Sequence, residues 1–338
     1  MQIGKSTWEF NNKPKIISTG VIGGPFEANS NLAKDFDFFK DDLWMEQESF
    51  EKAQQLLLEE ASDLAIKKAG VENKEIDFFI SGDLMNQITP TTFAAEKLQY
   101  PYLGIFSACA TTTEGLALAA LITNNGAGKY VLTGAASHNA ATERQYRYPT
   151  EYGGQKPPTA QWTVTGAGCA LVSTAGNGPS ITTATIGKVI NMGMKDPFHM
   201  GGAMAPAAVE TILTHFNERK IDSSYYDLIV TGDLGKVGSK ICFDLLHEKG
   251  FQLKTEQYDD CGVMLYKESQ PVFAGGSGAA CPAVVTYGYL LNKLKKGIYN
   301  KILIVATGAL HSPLTVQQGD SIPCIAHAIS IENEGDQR

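Results

Sequence analysis

The sequence predicts an α/β fold made of two related halves, and an internal duplication is the main reason. The run Ile76-Asp77-Phe78-Phe79-Ile80-Ser81-Gly82-Asp83-Leu84 returns 150 residues later as Tyr226-Asp227-Leu228-Ile229-Val230-Thr231-Gly232-Asp233-Leu234. Each copy is an apolar run of the kind a parallel strand shows when both faces are buried, and each ends in Gly-Asp-Leu, where a strand opens into a turn. A second pair follows. Ala108-Cys109, a small-residue helix and Tyr130-Val131-Leu132-Thr133-Gly134-Ala135 match Ala280-Cys281, a helix and Ile302 to Ala309, at offsets of 172 and 174 residues. The repeat is too long, and its copies too few, for a solenoid, so a fused pseudo-dimer is expected, with halves 1–177 and 178–338 dividing near Asn177-Gly178-Pro179.

The elements follow in order. Phe50, Ala53, Leu57, Ala61 and Leu64 recur at helical spacing and Gly70 stops them, which predicts a helix over Phe50 to Ala69 before the first duplicated strand. Ala207 to Lys220 takes the same place before the second. Tyr102 to Phe106 reads as a strand giving way to the helix after Cys109. Arg144 to Trp162 is polar, aromatic and proline-containing, a long loop suited to covering a pocket, where Arg144 or Arg147 supplies positive charge to an acidic ligand.

Composition narrows the function classes. A net charge of −8 and a pI near 5.3 argue against a nucleic-acid partner. No stretch approaches the roughly 20 apolar residues of a spanning helix, and Met1 to Ser6 lacks the apolar core of a secretory signal, so an intracellular protein, peripheral if it meets a membrane, is expected. The six cysteines form no CxxC pair, which points to neither a disulfide framework nor a metal site.

Cys109 lies where a strand gives way to a helix, so unpaired backbone donors favour negative charge there. Such a thiol suits a nucleophile, although a buried structural cysteine fits equally. The backbone N–H groups near Cys109 and the glycine-rich Gly275-Gly276-Ser277-Gly278 suit carboxylate oxygens. Asp83 and Asp233 end equivalent strands and read as N-caps, turn formers or ligands for a cation, with the first two preferred.

Ser107-Ala108-Cys109-Ala110-Thr111-Thr112-Thr113-Glu114-Gly115, Asp196 to Gly202, Gly275 to Pro282 and Ile322-Pro323-Cys324-Ile325-Ala326-His327 together resemble the thiolase and ketoacyl-synthase superfamily, and within it a sporulation branch. The resemblance covers almost the whole chain. It implies a thiolase-like duplicated five-layer αβαβα fold, two pseudo-symmetric halves, and a role in moving dipicolinic acid (pyridine-2,6-dicarboxylic acid) into the forming spore. It implies no cofactor, with calcium entering, if at all, as the ligand's own chelate. The implied partners are membrane-embedded proteins of the same spore channel complex at the spore inner membrane, and a second copy of the chain.

Cys109 then stands at the vestigial nucleophile position. The superfamily's enzymes carry a catalytic His where this chain has Asp233, and an Asn or His in the loop that here reads Gly275 to Gly278, so carbon–carbon bond formation is not expected. The expected ligand-binding set is Cys109, His199, Asp83, Asp233, Gly276, Ser277 and Cys324, with Phe198, Met200 and Met204 as apolar wall. Cys324 resembles the second cysteine of thiolases, but His327 replaces a small residue of their glycine run. The alternative reading is a Cys-dependent acyl-transferring or condensing enzyme acting on acyl thioesters.

Overall fold

The strand Lys301–Ala309 is apolar on both faces, and its two faces enter different cores. Ile302 and Ile304 join a central cluster with Leu116, Ala280 and Val284, whereas Leu303 and Val305 join an outer one with Ala207, Ile212 and Phe216. Side chains alternate along a strand, so a sheet of this kind must be covered by helices on both sides. The first half repeats the pattern: Val131 and Ala135 face the central cluster, while Leu132 and Ala136 meet Leu57 and Ala61. The computed structural model describes residues 1–146 and 156–333.

Two five-stranded arrays carry the fold. The first runs Lys15–Gly23, Gly166–Ser173, Val131–Ser137, Phe78–Gly82, Tyr102–Gly104; the second runs Ser180–Ile186, Cys324–Glu332, Lys301–Ala309, Leu228–Thr231, Tyr258–Asp260. In both, the first two junctions are antiparallel and the last two parallel. The duplication read from Gly-Asp-Leu is therefore a duplication of topology. The arrays touch edge to edge where Lys15 pairs with Ser180.

Helices fill the remaining three layers. Phe50–Ala69 covers the first array; its Ser49 cap accepts from the Lys52 N–H at 3.2 Å, and it stops at Gly70, whose φ of 66° a glycine adopts without a side-chain penalty. Met200–Arg219 and Gly235–Glu248 cover the second. Thr111–Asn124 and the helical run from Ala280 to Lys295 lie between the arrays. The five layers are αβαβα, as the sequence leads one to expect.

The helix expected from Ala207 begins earlier, at Met200, and runs through Pro206. A proline so near a helix start forfeits one hydrogen bond, and close packing compensates. A Cβ on Gly201 would lie 2.1 Å from the Leu234 carbonyl oxygen, so this glycine lets the helix approach the start of Gly235–Glu248 closely. Among the described residues, no helix is long and apolar enough to cross a membrane.

Candidate functional site

Cys109 sits in the single turn Ala108–Ala110 that leads into Thr111–Asn124. Ala108 holds φ at 51°, a left-handed conformation costing a non-glycine residue about 1–2 kcal/mol. The turn is held by contact with the other half: a Cβ on Gly308 would fall 1.9 Å from the Ser107 carbonyl oxygen. Cys109 is only 6% exposed.

The Cys109 thiol stands beside the Asp233 carboxyl and helps to hold its pKa down. Asp233 Oδ2 accepts from Ser277 Oγ and from the Gly278 N–H, both at 3.1 Å, and Oδ1 accepts from Thr307 Oγ1 at 3.0 Å. Gln161 Nε2 donates to the backbone oxygens of Asp233 (2.7 Å) and Gly276 (2.9 Å), tying the loop to the strand end. Burial pushes the Asp233 carboxyl up to about 6, against the pull of its four donors. Behind it, burial pushes Asp260 up to about 7 while that carboxylate caps the Leu234 and Gly235 N–H groups.

In front of Cys109 lies a narrow cavity of about 30 Å³, room for about one water, lined by Leu84, Thr142, Tyr146, Thr163, Met200, Ser277, Ala309 and His311. The wall is mainly aliphatic and aromatic, with hydroxyls and one imidazole placed among it. Thr142 is buried and its hydroxyl has no hydrogen-bond partner among the described residues, which leaves a polar atom for a ligand or water. Tyr146 donates its hydroxyl to the Leu84 carbonyl oxygen and stacks on His311, ring centroids 5.2 Å apart at 30°.

Of the residues expected from sequence, Cys109, Asp233 and Ser277 come together, and Met200 joins the wall. The others stand elsewhere. Asp83 spends its oxygens on the Met85 N–H (2.7 Å) and on the N–H and hydroxyl of Thr91 (2.9 and 2.5 Å), the preferred cap-and-turn role. Gly276 faces Tyr266 and Cys281 rather than the cavity. His199 precedes the first turn of Met200–Arg219, its ring over Gly202. Cys324 pairs in register with Ala309; burial pushes its thiol up to about 12, and Asp233 adds to the shift. Met204 belongs to the outer core, Arg144 is exposed, and Arg147 lies outside the described residues. The anion cradle expected of Ser277 and Gly278 is filled by the protein's own Asp233.

Tyr146 falls in the segment expected to be a loop over a pocket; it does line the cavity, but residues 144–146 are the last turn of the helix Asn139–Tyr146, while His311, Thr142 and Thr307 were passed over. One signal was present: each copy of the duplicated strand, Val131–Ser137 and Lys301–Ala309, is followed closely by a histidine, His138 and His311. His138 binds the Leu43 carbonyl oxygen at 2.9 Å, away from the cavity.

Among solved structures, the chain is similar to the 3-oxoacyl-[acyl-carrier-protein] synthase III of Aquifex aeolicus VF5, with a TM-score of 0.57 and 15% identity over 95% of this chain and 100% of that one. It is likewise similar to cerulenin-bound OleA of Xanthomonas campestris, with a TM-score of 0.61 and 12% identity over 96% of this chain and 100% of that one. At these identities the likeness is one of fold, the thiolase-like fold. A curated relative, stage V sporulation protein AD of Bacillus subtilis (strain 168), is 45% identical over 332 residues, 98% of each chain. The family profile described as stage V sporulation protein AD (SpoVAD) matches residues 4–332. With this profile and this relative covering nearly all of its length, the chain belongs to the stage V sporulation protein AD family, a family of sporulation proteins.

Proposed function

We propose that the chain is a non-catalytic thiolase-fold protein that binds dipicolinic acid in the Cys109 cavity and supports its uptake into the developing spore. The observation carrying this reading is the placement of the Cys109 thiol beside the Asp233 carboxyl. A condensing site needs a cation-capable base beside the thiol and donors aimed at a developing oxyanion. Here the thiol faces a carboxylate, and the loop donors at Ser277 and Gly278 are already spent on it. The narrow space that remains, walled by Tyr146 and His311 and dotted with hydroxyls, offers the right chemistry to a small planar acid once those rings move apart.

Among the described residues, no group of three His, Cys, Asp or Glu could hold a metal ion, so calcium would enter as the ligand's own chelate. That form suits a site with a carboxylate behind it, because the cation cancels the ligand's two charges. Delivery to membrane-embedded proteins of the same spore channel complex, with peripheral attachment at the spore inner membrane, completes the proposal.

Calorimetry with dipicolinate, with and without calcium, tests it, with benzoate as the singly charged control and Ala309→Leu to fill the cavity. Saturable binding that prefers the dicarboxylate and is lost in Ala309→Leu supports the reading; no binding in any condition overturns it for this chain. A second reading has one observation behind it: an Asp233 carboxyl near 6 could accept the Cys109 proton during acyl transfer. Stable acylation of Cys109 by acyl thioesters, absent in Asp233→Asn, would establish that reading instead.

A further inference from the structure

The Cys109 cavity adjoins a second, outer space of about 400 Å³, lined among others by Gln87, Ile88 and Phe106. Tyr146 and His311 line both. We propose that these two rings form a door between an outer antechamber and the inner cavity, and that a flat aromatic acid reaches Cys109 only when they part. This inference takes the Cys109 cavity as the ligand's destination and so rests on the reading above.

The door has one leaf from each half of the molecule. Tyr146 ends the helix Asn139–Tyr146, and His311 follows the strand Lys301–Ala309. Their stacking, at 5.2 Å between centroids, is a ring contact between the two halves. Behind both, Cys109 and Ser277 are only 6% and 3% exposed, as an inner room with its door shut requires. The latch is the Tyr146 hydroxyl on the Leu84 carbonyl oxygen, and Leu84 is itself cavity wall.

The floor beside the latch is strained. Gln87 and Ile88 both hold left-handed backbone angles, φ 51° and 47°, and for a β-branched residue such as Ile88 that is a genuine outlier. Strain of this kind persists where the surroundings enforce it, and it gathers at clamps and switches. The residues flanking the strained pair reach the helix that carries Tyr146: the Asn86 N–H donates to Gln145 Oε1 at 3.3 Å, and Gln145 Nε2 donates to the Leu84 oxygen at 3.4 Å. A tyrosine swinging outward would break the latch on Leu84.

Site-resolved labelling of the folded protein by N-ethylmaleimide tests the door without any ligand. Cys109 lies behind it, while Cys169 and Cys242, buried in the two outer layers, serve as internal controls. Tyr146→Ala and His311→Ala should each speed Cys109 labelling by about tenfold or more and leave the two controls unchanged, with Tyr146→Phe, which loses only the latch, in between. Unchanged Cys109 labelling in both alanine variants, or a parallel rise at all three cysteines, overturns the proposal. Faster Cys109 labelling without dipicolinate binding in calorimetry would support the door and sink the ligand reading alone.

Discussion

The Asp233 carboxyl stands beside the Cys109 thiol. An imidazole in that place could accept the proton and then stand as a cation beside the thiolate; an ionised carboxylate would leave two negative charges side by side in a buried site. The residues around Asp233 fit the carboxylate and not an imidazole. Ser277 Oγ, the Gly278 N–H and Thr307 Oγ1 all donate inward to it, so the acceptor role of Asp233 is built into three chain segments.

Asp233→Asn should therefore destabilise the fold as well as free the thiol. An amide presents N–H groups to donors that need an acceptor, which costs about 1–3 kcal/mol for each polar group left unsatisfied in the interior. The wild-type Asp233 is raised from 3.8 to about 6, so the folded state holds its proton more tightly than the unfolded chain does. The stability this gives is fully present below pH 3.8 and is lost as pH rises through about 6. Urea unfolding should show a wild-type advantage over Asp233→Asn that is larger at about pH 4.5 than at about pH 7.5. A gap independent of pH would contradict the buried-acid account.

Glu27 offers the converse case. Fully buried, it accepts from Tyr266 Oη at 2.5 Å and from the Thr165 N–H at 3.2 Å, and burial raises it from 4.5 to about 7. A glutamine keeps one acceptor oxygen for those donors and never ionises. Glu27→Gln should be near neutral at about pH 5 and stabilising by about 1–3 kcal/mol at about pH 8, where the wild type carries a buried charge. His215 and His327, which burial pushes down to about 3 and 4, act with the opposite sign and lose stability as pH falls. The difference between Glu27→Gln and wild type cancels them. A variant less stable than wild type at both pH values would refute this assignment.

These contacts also explain which parts of the molecule could be read beforehand. The strands Phe78–Gly82 and Leu228–Thr231 were legible because a doubly buried strand is a local pattern, and Asp83 was legible as a cap because Met85 and Thr91 are its neighbours in sequence. Asp233 could be placed at a strand end, but its acceptor role depends on Cys109, Ser277 and Thr307, which only the folded chain brings to it. Gly276 was expected in the pocket from loop composition; the direction of its missing side chain, toward Tyr266 and Cys281, is a backbone property that composition does not encode. Tyr146 and His311 meet across the two halves, and no spacing in the sequence relates them.

Gly308→Ala should displace the Cys109 turn. The added methyl would meet the Ser107 carbonyl oxygen at 1.9 Å and the Ala110 nitrogen at 3.3 Å, and backbone atoms cannot rotate out of the way. Overpacking of this kind costs about 1–3 kcal/mol. A lower Tm together with altered maleimide reactivity at Cys109 is expected. An unchanged Tm would mean that the two halves are not held together at this point.

The strand Tyr102–Gly104 ends the first array and leaves one side of its backbone unpaired among the described residues. Leu103 is 42% exposed, Phe106 49%, and Phe93, on the helix Thr89–Leu98 packed beside this strand, 51%. An open edge with large apolar side chains invites pairing with another chain unless something covers it. A second copy fits, because a two-fold axis through the edge would pair Tyr102–Gly104 with itself, antiparallel, and bury both sets of apolar residues in one isologous contact. Sedimentation should therefore find a dimer at the concentrations used for calorimetry, and Leu103→Lys combined with Phe106→Lys should give a folded monomer. A wild-type monomer under those conditions would rule out this pairing, and a doubly substituted chain that stays dimeric would move the interface elsewhere.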